Sequence, residues 1–183
     1  MSNGLIHLYH GDGKGKTTAA MGLAVRALGC GRRVVIVQFL KGGATGELEP
    51  LQTLGATFYR GKSGQKFVFQ MNEEEKAATR ALQTENLRRA LAEPADLLIL
   101  DEACAAWNLN MVDRELLQNA VRHKPAEQEL AMTGRPPGCW MPQITLLKCA
   151  AAATHTKKAF RQEKALNFKF AAAQFHTGKR TRQ

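Results

Sequence analysis

The chain is 183 residues long, 44% hydrophobic and 23% charged, the composition of one globular domain and not of a fibrous or disordered chain. No apolar run reaches the length of a membrane span, and Met1-Ser2-Asn3-Gly4 lacks the charged and apolar regions of a secretory leader, so a cytoplasmic location without a membrane partner is expected. The net charge of +10 is unevenly placed: residues 1–135 carry 17 Lys+Arg against 15 Asp+Glu, and residues 136–183 carry 9 against 1, so a nucleic-acid reading rests on the tail alone.

Leu5 to Tyr9 is a short apolar run that predicts a first strand. His10-Gly11-Asp12-Gly13-Lys14-Gly15-Lys16-Thr17-Thr18 follows, and Thr17 to Leu28 then reads as a helix that stops at Gly29-Cys30-Gly31. Strand, glycine-rich turn, Gly-Lys-Thr and helix make the phosphate-binding loop. Its glycines let successive N–H groups of Gly11, Asp12, Gly13, Lys14 and Gly15 point into one concavity, and the helix N-terminus adds partial positive charge. Lys16 is expected to neutralise phosphate oxygens, with Thr18 beside it, and the Thr17 hydroxyl to ligate a magnesium ion. The general motif has four residues between its first Gly and Gly-Lys. Counted from Gly11 there are three here, and His10 stands where that Gly belongs.

Val34 to Phe39 is apolar except for Gln38, as expected of a parallel strand covered on both faces. A loop, Lys41 to Gly46, precedes an expected short helix at Glu47 to Leu54 and a strand at Ala56 to Tyr59. Arg60 to Gly64 is a basic glycine-rich loop, and Phe67-Val68-Phe69 reads as a short strand or a hydrophobic flap. Asn72 caps a long helix that runs to about Ala92, with Glu73, Glu74 and Glu75 in its first turn. Leu97 to Leu100 then delivers Asp101-Glu102 to a strand end. That is the acidic element that pairs with a phosphate loop, where Asp101 holds the metal and Glu102 orients a reactant or completes the metal's surroundings. Val112 to His123 reads as a helix and Glu129 to Thr133 as a strand. Strands alternate with helices, which predicts an α/β fold: a mostly parallel, RecA-like phosphate-loop sheet wrapped by helices. The four cysteines, Cys30, Cys104, Cys139 and Cys149, show no metal-ligand spacing and read as free thiols.

Gly11 to Ala20, then Gly22 and Arg26, then Gln38-Phe39-Leu40-Lys41-Gly42, then Leu100-Asp101-Glu102, then Thr133-Gly134-Arg135 resemble the ATP:corrinoid adenosyltransferases of the BtuR, CobA and CobO type. The resemblance covers residues 5–135 and includes the shortened loop. It implies transfer of the 5′-deoxyadenosyl group of ATP to Co(I) of a corrinoid, cobalamin or cobyrinic acid diamide, with triphosphate leaving, in cobalamin biosynthesis or salvage. It implies Mg2+ or Mn2+, a reducing flavoprotein as electron source, and a homodimer. It also implies that ATP lies reversed relative to ordinary phosphate-loop enzymes. Lys16 and Glu102 are the expected catalytic residues. Arg26, Gln38, Lys41 and Arg135 are expected nucleotide contacts beside residues 11–18, although Arg26 also reads as a surface salt bridge. Phe67, Phe69 and Trp107 read as shields for the corrinoid or as ordinary core, and Asn108 as a family position or a turn residue. The residues alone leave open another phosphate-loop ATP-binding protein, or an inactive nucleotide-binding remnant.

The resemblance breaks after Arg135. The family's Ala-Asp-hydrophobic-hydrophobic-Thr-Glu-Met, Lys/Arg-His-Pro and Gly-Ile-Glu-Phe segments are missing from Pro136 onward. Back-translated and read one base earlier, however, Trp140/Met141 forces Asp and Met141/Pro142 forces Ala. The same frame allows LDAADYVTEMRCCRHPYKKGIPSGKGIEF across residues 139–168, and Phe168/Lys169 then allows a stop. The expectation is a one-base shift near residues 136–138, which makes 136–183 an out-of-frame, partly disordered basic tail and 1–135 the nucleotide-binding domain. No specific nucleic acid is then expected as a partner.

Overall fold

A computed structural model describes residues 4–61, 66–137 and the backbone of 145–148. Six strands form one parallel sheet: β1 (Ile6–His10), β2 (Val34–Gln38), β3 (Thr57–Arg60), β4 (Leu97–Asp101), β5 (Glu129–Thr133) and β6 (Thr145–Lys148). Their spatial order is β3-β2-β4-β5-β1-β6, so β5 alone separates the strand that leads into the glycine loop from the strand that ends in Asp101. The helices are α1 (Lys16–Gly29), α2 (Leu48–Thr53), α3 (Glu73–Ala92), α4 (Ala103–Asn108) and α5 (Arg114–Arg122).

The central strands are apolar on both faces because helices cover both. Val34 and Ile36 of β2, Leu97 and Ile99 of β4, and Ala131 of β5 pack with Ala20, Met21 and Ala24 of α1 and Leu51 of α2. The alternate residues, Val35, Val37, Leu98, Leu100, Leu130 and Met132, pack with Leu87 of α3, Cys104 and Ala106 of α4, and Leu117 and Val121 of α5. Period-two alternation along each strand thus divides one sheet between two cores.

Sequence expectations and structure agree on the main elements and differ at three places. Phe67-Val68-Phe69 is not the short strand of its two readings: Val68–Gln70 form a single 3₁₀ turn. Helix α4 was not expected; Ala103-Cys104-Ala105-Ala106 carries no polar-apolar period to announce it. Strand β6 pairs with β1, with His7 opposite Thr145 and His10 opposite Lys148, in a stretch where the sequence predicts no element. The remainder of the expected tail lies outside the described residues.

Two local devices set the strand and helix ends. Asn72 Oδ1 accepts from Glu75 N at 2.8 Å while Asn72 N donates to Glu75 Oε2 at 2.9 Å, a reciprocal cap on α3. At the start of β4, Asp96 accepts from Arg33 N at 2.8 Å and from the Arg33 guanidinium at 3.1 and 3.2 Å, joining the entrances of β2 and β4. The Arg33 guanidinium and backbone N–H hold the Asp96 carboxyl down to about 2. A depressed carboxyl adds stability above its unfolded pKa and loses it as pH falls through the folded one. The wild type and Asp96→Asn should therefore differ in urea midpoint at neutral pH and converge as pH falls from about 4 to about 2.

Candidate active site

The site lies where the strands leave the sheet at its C-terminal edge. Gly11 (φ 117°) and Gly15 (φ 105°) take left-handed backbone at the two ends of the loop, a conformation that only glycine adopts without strain. Lys16, the first residue of α1, folds back over this loop, its Nζ donating to Gly11 O and Gly13 O at 2.8 Å each. Asp12, Lys14 and Thr18 surround it in the loop and the first turn of α1.

Asp101 closes the site from below. It is fully buried, and both carboxylate oxygens are engaged. Oδ1 accepts from Thr17 Oγ1 and from Thr133 Oγ1, each at 2.9 Å. Oδ2 accepts from Lys41 Nζ at 2.6 Å and from Gln38 Nε2 at 3.4 Å. Lys41 Nζ also reaches Thr17 Oγ1 at 3.3 Å. Residues from β2, β4, β5 and α1 thus converge on one carboxylate. Thr133 also accepts from Glu102 N at 2.8 Å. Gln38 Nε2 donates to Glu47 Oε1 at 3.0 Å, and Gln38 Oε1 is buried with no hydrogen-bond partner among the described residues.

Glu102 has φ 61°, unusual for a residue with a side chain. Burial, and next the Asp101 charge, raise its carboxyl above the ordinary range, against the pull of Lys41 and Lys16. Its backbone is a testable source of strain. Glu102→Gly should raise stability to urea by about 1 kcal/mol, the cost of left-handed backbone in an L-residue, while slowing any reaction that uses the carboxyl.

The expected residues are not all gathered here. Lys16, Thr17, Gln38, Lys41, Asp101 and Glu102 meet around the loop and the buried carboxylate. Arg135 is exposed just past β5, and its carbonyl accepts from Asn108 Nδ2 at 3.3 Å. Arg26 is a correction. Ten residues along α1 from Lys16 is about 15 Å of helix, which carries it to the opposite edge of the sheet. There it lines a cavity of about 480 Å³ with Gly4, Cys30, Asp96 and Glu129. Trp107 is half-buried against the core with the Arg114 guanidinium 5.8 Å from its ring centre, which is the core alternative of the two expected for it. Phe67 and Phe69 are 64% and 83% exposed, their rings stacked at 5.5 Å, so they are not core.

Sequence reasoning missed Thr133 and Glu47 as site residues. Thr133 ends an apolar strand, the same signal that marked Asp101. Glu47 looks like any acid at the start of a helix.

Gln38 Oε1 bears on whether a metal fits here. An acceptor buried on the amide that bonds the Asp101 carboxylate suits the water shell of a hydrated divalent cation. Thr17 Oγ1 and Asp101 Oδ1, already in contact, are the oxygens that would hold it. Among the described residues no three His, Cys, Asp or Glu side chains form another metal cluster.

Comparison with known proteins gives this arrangement its setting. The profile described as ATP:corrinoid adenosyltransferase BtuR/CobO/CobP matches residues 2–166. The chain belongs to the ATP:corrinoid adenosyltransferase family. The corrinoid adenosyltransferase of Escherichia coli K12 is 34% identical over 159 residues, covering 86% of this chain and 80% of that protein. Corrinoid adenosyltransferase CobA of Salmonella typhimurium LT2 is 35% identical with the same coverage. That of Pseudomonas aeruginosa PAO1 is 27% identical over 170 residues, covering 90% of this chain and 84% of its own. The chain is therefore an enzyme of the corrinoid adenosyltransferase type, and the α/β phosphate-loop fold is that of its family. The family match continues to residue 166, beyond the 5–135 stretch whose motifs carry the resemblance. No helix among the described residues is long and apolar enough to cross a membrane.

Proposed function

We propose that the chain transfers the 5′-deoxyadenosyl group of ATP to the Co(I) of a reduced corrinoid substrate and releases triphosphate. Cobalt donates the electron pair to ribose C5′, the C5′–O bond breaks, and the pair leaves on the triphosphate oxygen, so cobalt ends as Co(III). Cob(I)alamin is a strong nucleophile, and the protein needs no general base. The observation that supports this reading is the loop geometry: Lys16, already drawn over Gly11 O and Gly13 O, is poised to meet an anion in the concavity. A divalent cation, when bound by Thr17 and Asp101, supplies further charge to the departing triphosphate. Lys16, the loop N–H groups and Lys41 take the phosphates, and Arg135 approaches from the end of β5. Glu102, its carboxyl raised by burial and by the Asp101 charge, orients a reacting group. Phe67 and Phe69 form an exposed apolar pair suited to a flat corrin ring. A reducing flavoprotein, a homodimer and a cytoplasmic location belong to the same proposal.

Anaerobic incubation with ATP, Mg2+ and reduced cobalamin tests it. The expected result is the absorbance change of a new cobalt–carbon bond with one triphosphate per adenosyl group. Orthophosphate release without that bond would overturn the reading in favour of ATP hydrolysis.

The segment after Arg135 belongs to the same proposal. Its motif residues return only in the alternative frame, and the basic tail is then a product of that shift and no binding surface. The gene's DNA sequence decides this: third bases at residues 139–168 should spell the alternative-frame segment, and incompatible bases overturn it.

A further inference from the structure

The metal-binding reading of Thr17 and Asp101 leaves Lys41 unexplained. Its ammonium lies 2.6 Å from Asp101 Oδ2 and 3.3 Å from Thr17 Oγ1, so it bridges the two side chains that would hold a divalent cation. A lysine that served only as a phosphate contact would point into the loop's concavity, as Lys16 does. Two features keep Lys41 where it is. Leu40 turns the chain through left-handed backbone at φ 59°, a conformation that opposes a leucine side chain and is held by packing against the core. Behind it, Arg60 Nη2 donates to Gly43 O at 2.6 Å and Gly61 N to Lys41 O at 3.1 Å, which strap the loop to the end of β3.

We propose that Lys41 is a built-in counter-cation of the Asp101–Thr17 pair that competes with the divalent metal for it. The proposal rests on the reading of these two residues as metal ligands. A fully buried carboxylate needs a positive charge beside it. Lys41 supplies that charge, and metal binding must lift the ammonium away from Oδ2. The displaced lysine is then released toward the phosphates that accompany the metal. Metal and nucleotide binding are coupled by this exchange: metal alone must displace a bonded cation, whereas metal arriving with a polyphosphate gives that cation a new partner. Specificity is a further consequence, because a metal without phosphate meets a site already neutralised.

Mn2+ binding to the full chain, followed by the electron paramagnetic resonance of free Mn2+ without nucleotide, tests the exchange. Lys41→Met should bind Mn2+ at least about tenfold more tightly than the wild type, since the competing charge is gone. Without metal it should melt lower, and Mn2+ should raise its melting temperature by more than that of the wild type. Lys41→Gln, which keeps a hydrogen-bond donor, gives the same comparison if the methionine variant does not fold. Adding Asp101→Asn should abolish the gain. Mn2+ binding no tighter in either lysine variant than in the wild type overturns the proposal, and so does a gain that survives Asp101→Asn. If the wild type then still binds Mn2+ with ATP present, the metal reading stands without the exchange. If it does not, both fall together.

Discussion

Lys16→Ala should lower the rate of adenosyl transfer by two to three orders of magnitude, roughly the loss expected when one pre-positioned charge on a developing anion is removed. In the proposed reaction the whole triphosphate departs, and its charge grows in the transition state. Lys16 is the charged side chain drawn over the loop, with its Nζ 2.8 Å from two loop carbonyls. Those contacts are to backbone oxygens at a half-buried position, so the loss should fall on the reaction more than on the fold. Single-turnover rates at saturating ATP and reduced corrinoid measure it, with circular dichroism to confirm folding. A fall in ATP affinity with the rate unchanged would assign Lys16 to binding alone.

Asp101→Asn should instead cost stability, by about 3 kcal/mol or more, the penalty for breaking a buried ion pair. Four donors converge on the carboxylate. The hydroxyls of Thr17 and Thr133 can rotate to accept from an amide, but the Lys41 ammonium has no lone pair and cannot. If the amide turns its NH2 toward Lys41, two donors face each other in a buried place; if it turns its oxygen there, the charge of Lys41 is still uncompensated. Urea unfolding of the single and double variants with Lys41→Met distinguishes this from a simple hydrogen-bond loss. Removing both charges should restore part of the stability, and additive losses would show that the pair is not coupled.

The reach of the sequence can be judged from these residues. The runs Val34 to Phe39 and Leu97 to Asp101 announced buried parallel strands, because a strand covered on both faces has no polar face to hide. The loop announced itself through its glycines, which mark backbone that other residues resist. Convergence was harder to read. Thr133 ends β5, whereas Gln38 and Lys41 come from β2 and the turn after it, and their meeting at Asp101 depends on strand order, which the local pattern does not encode. Arg26 differs: of its two readings the nucleotide contact came from its motif position, and α1 carries it to the opposite edge of the sheet. Polar residues buried on α3, Thr79, Gln83, Thr84 and Asn86, likewise leave no apolar stripe to detect.

The backbone ties these residues together at the strand ends. Just beyond β1, β2, β3, β4 and β5 the chain passes through a left-handed residue: Gly11, Leu40, Gly61, Glu102 and Gly134. At Gly134 a methyl group would also stand 2.8 Å from Cys104 Cβ, so the corner cannot be padded. Each strand is thereby punctuated at a fixed point, and the next segment begins from a set place and direction. The scaffold is in this sense indexed at its strand ends: the corners fix where the Asp101 carboxylate and the Thr133 hydroxyl stand.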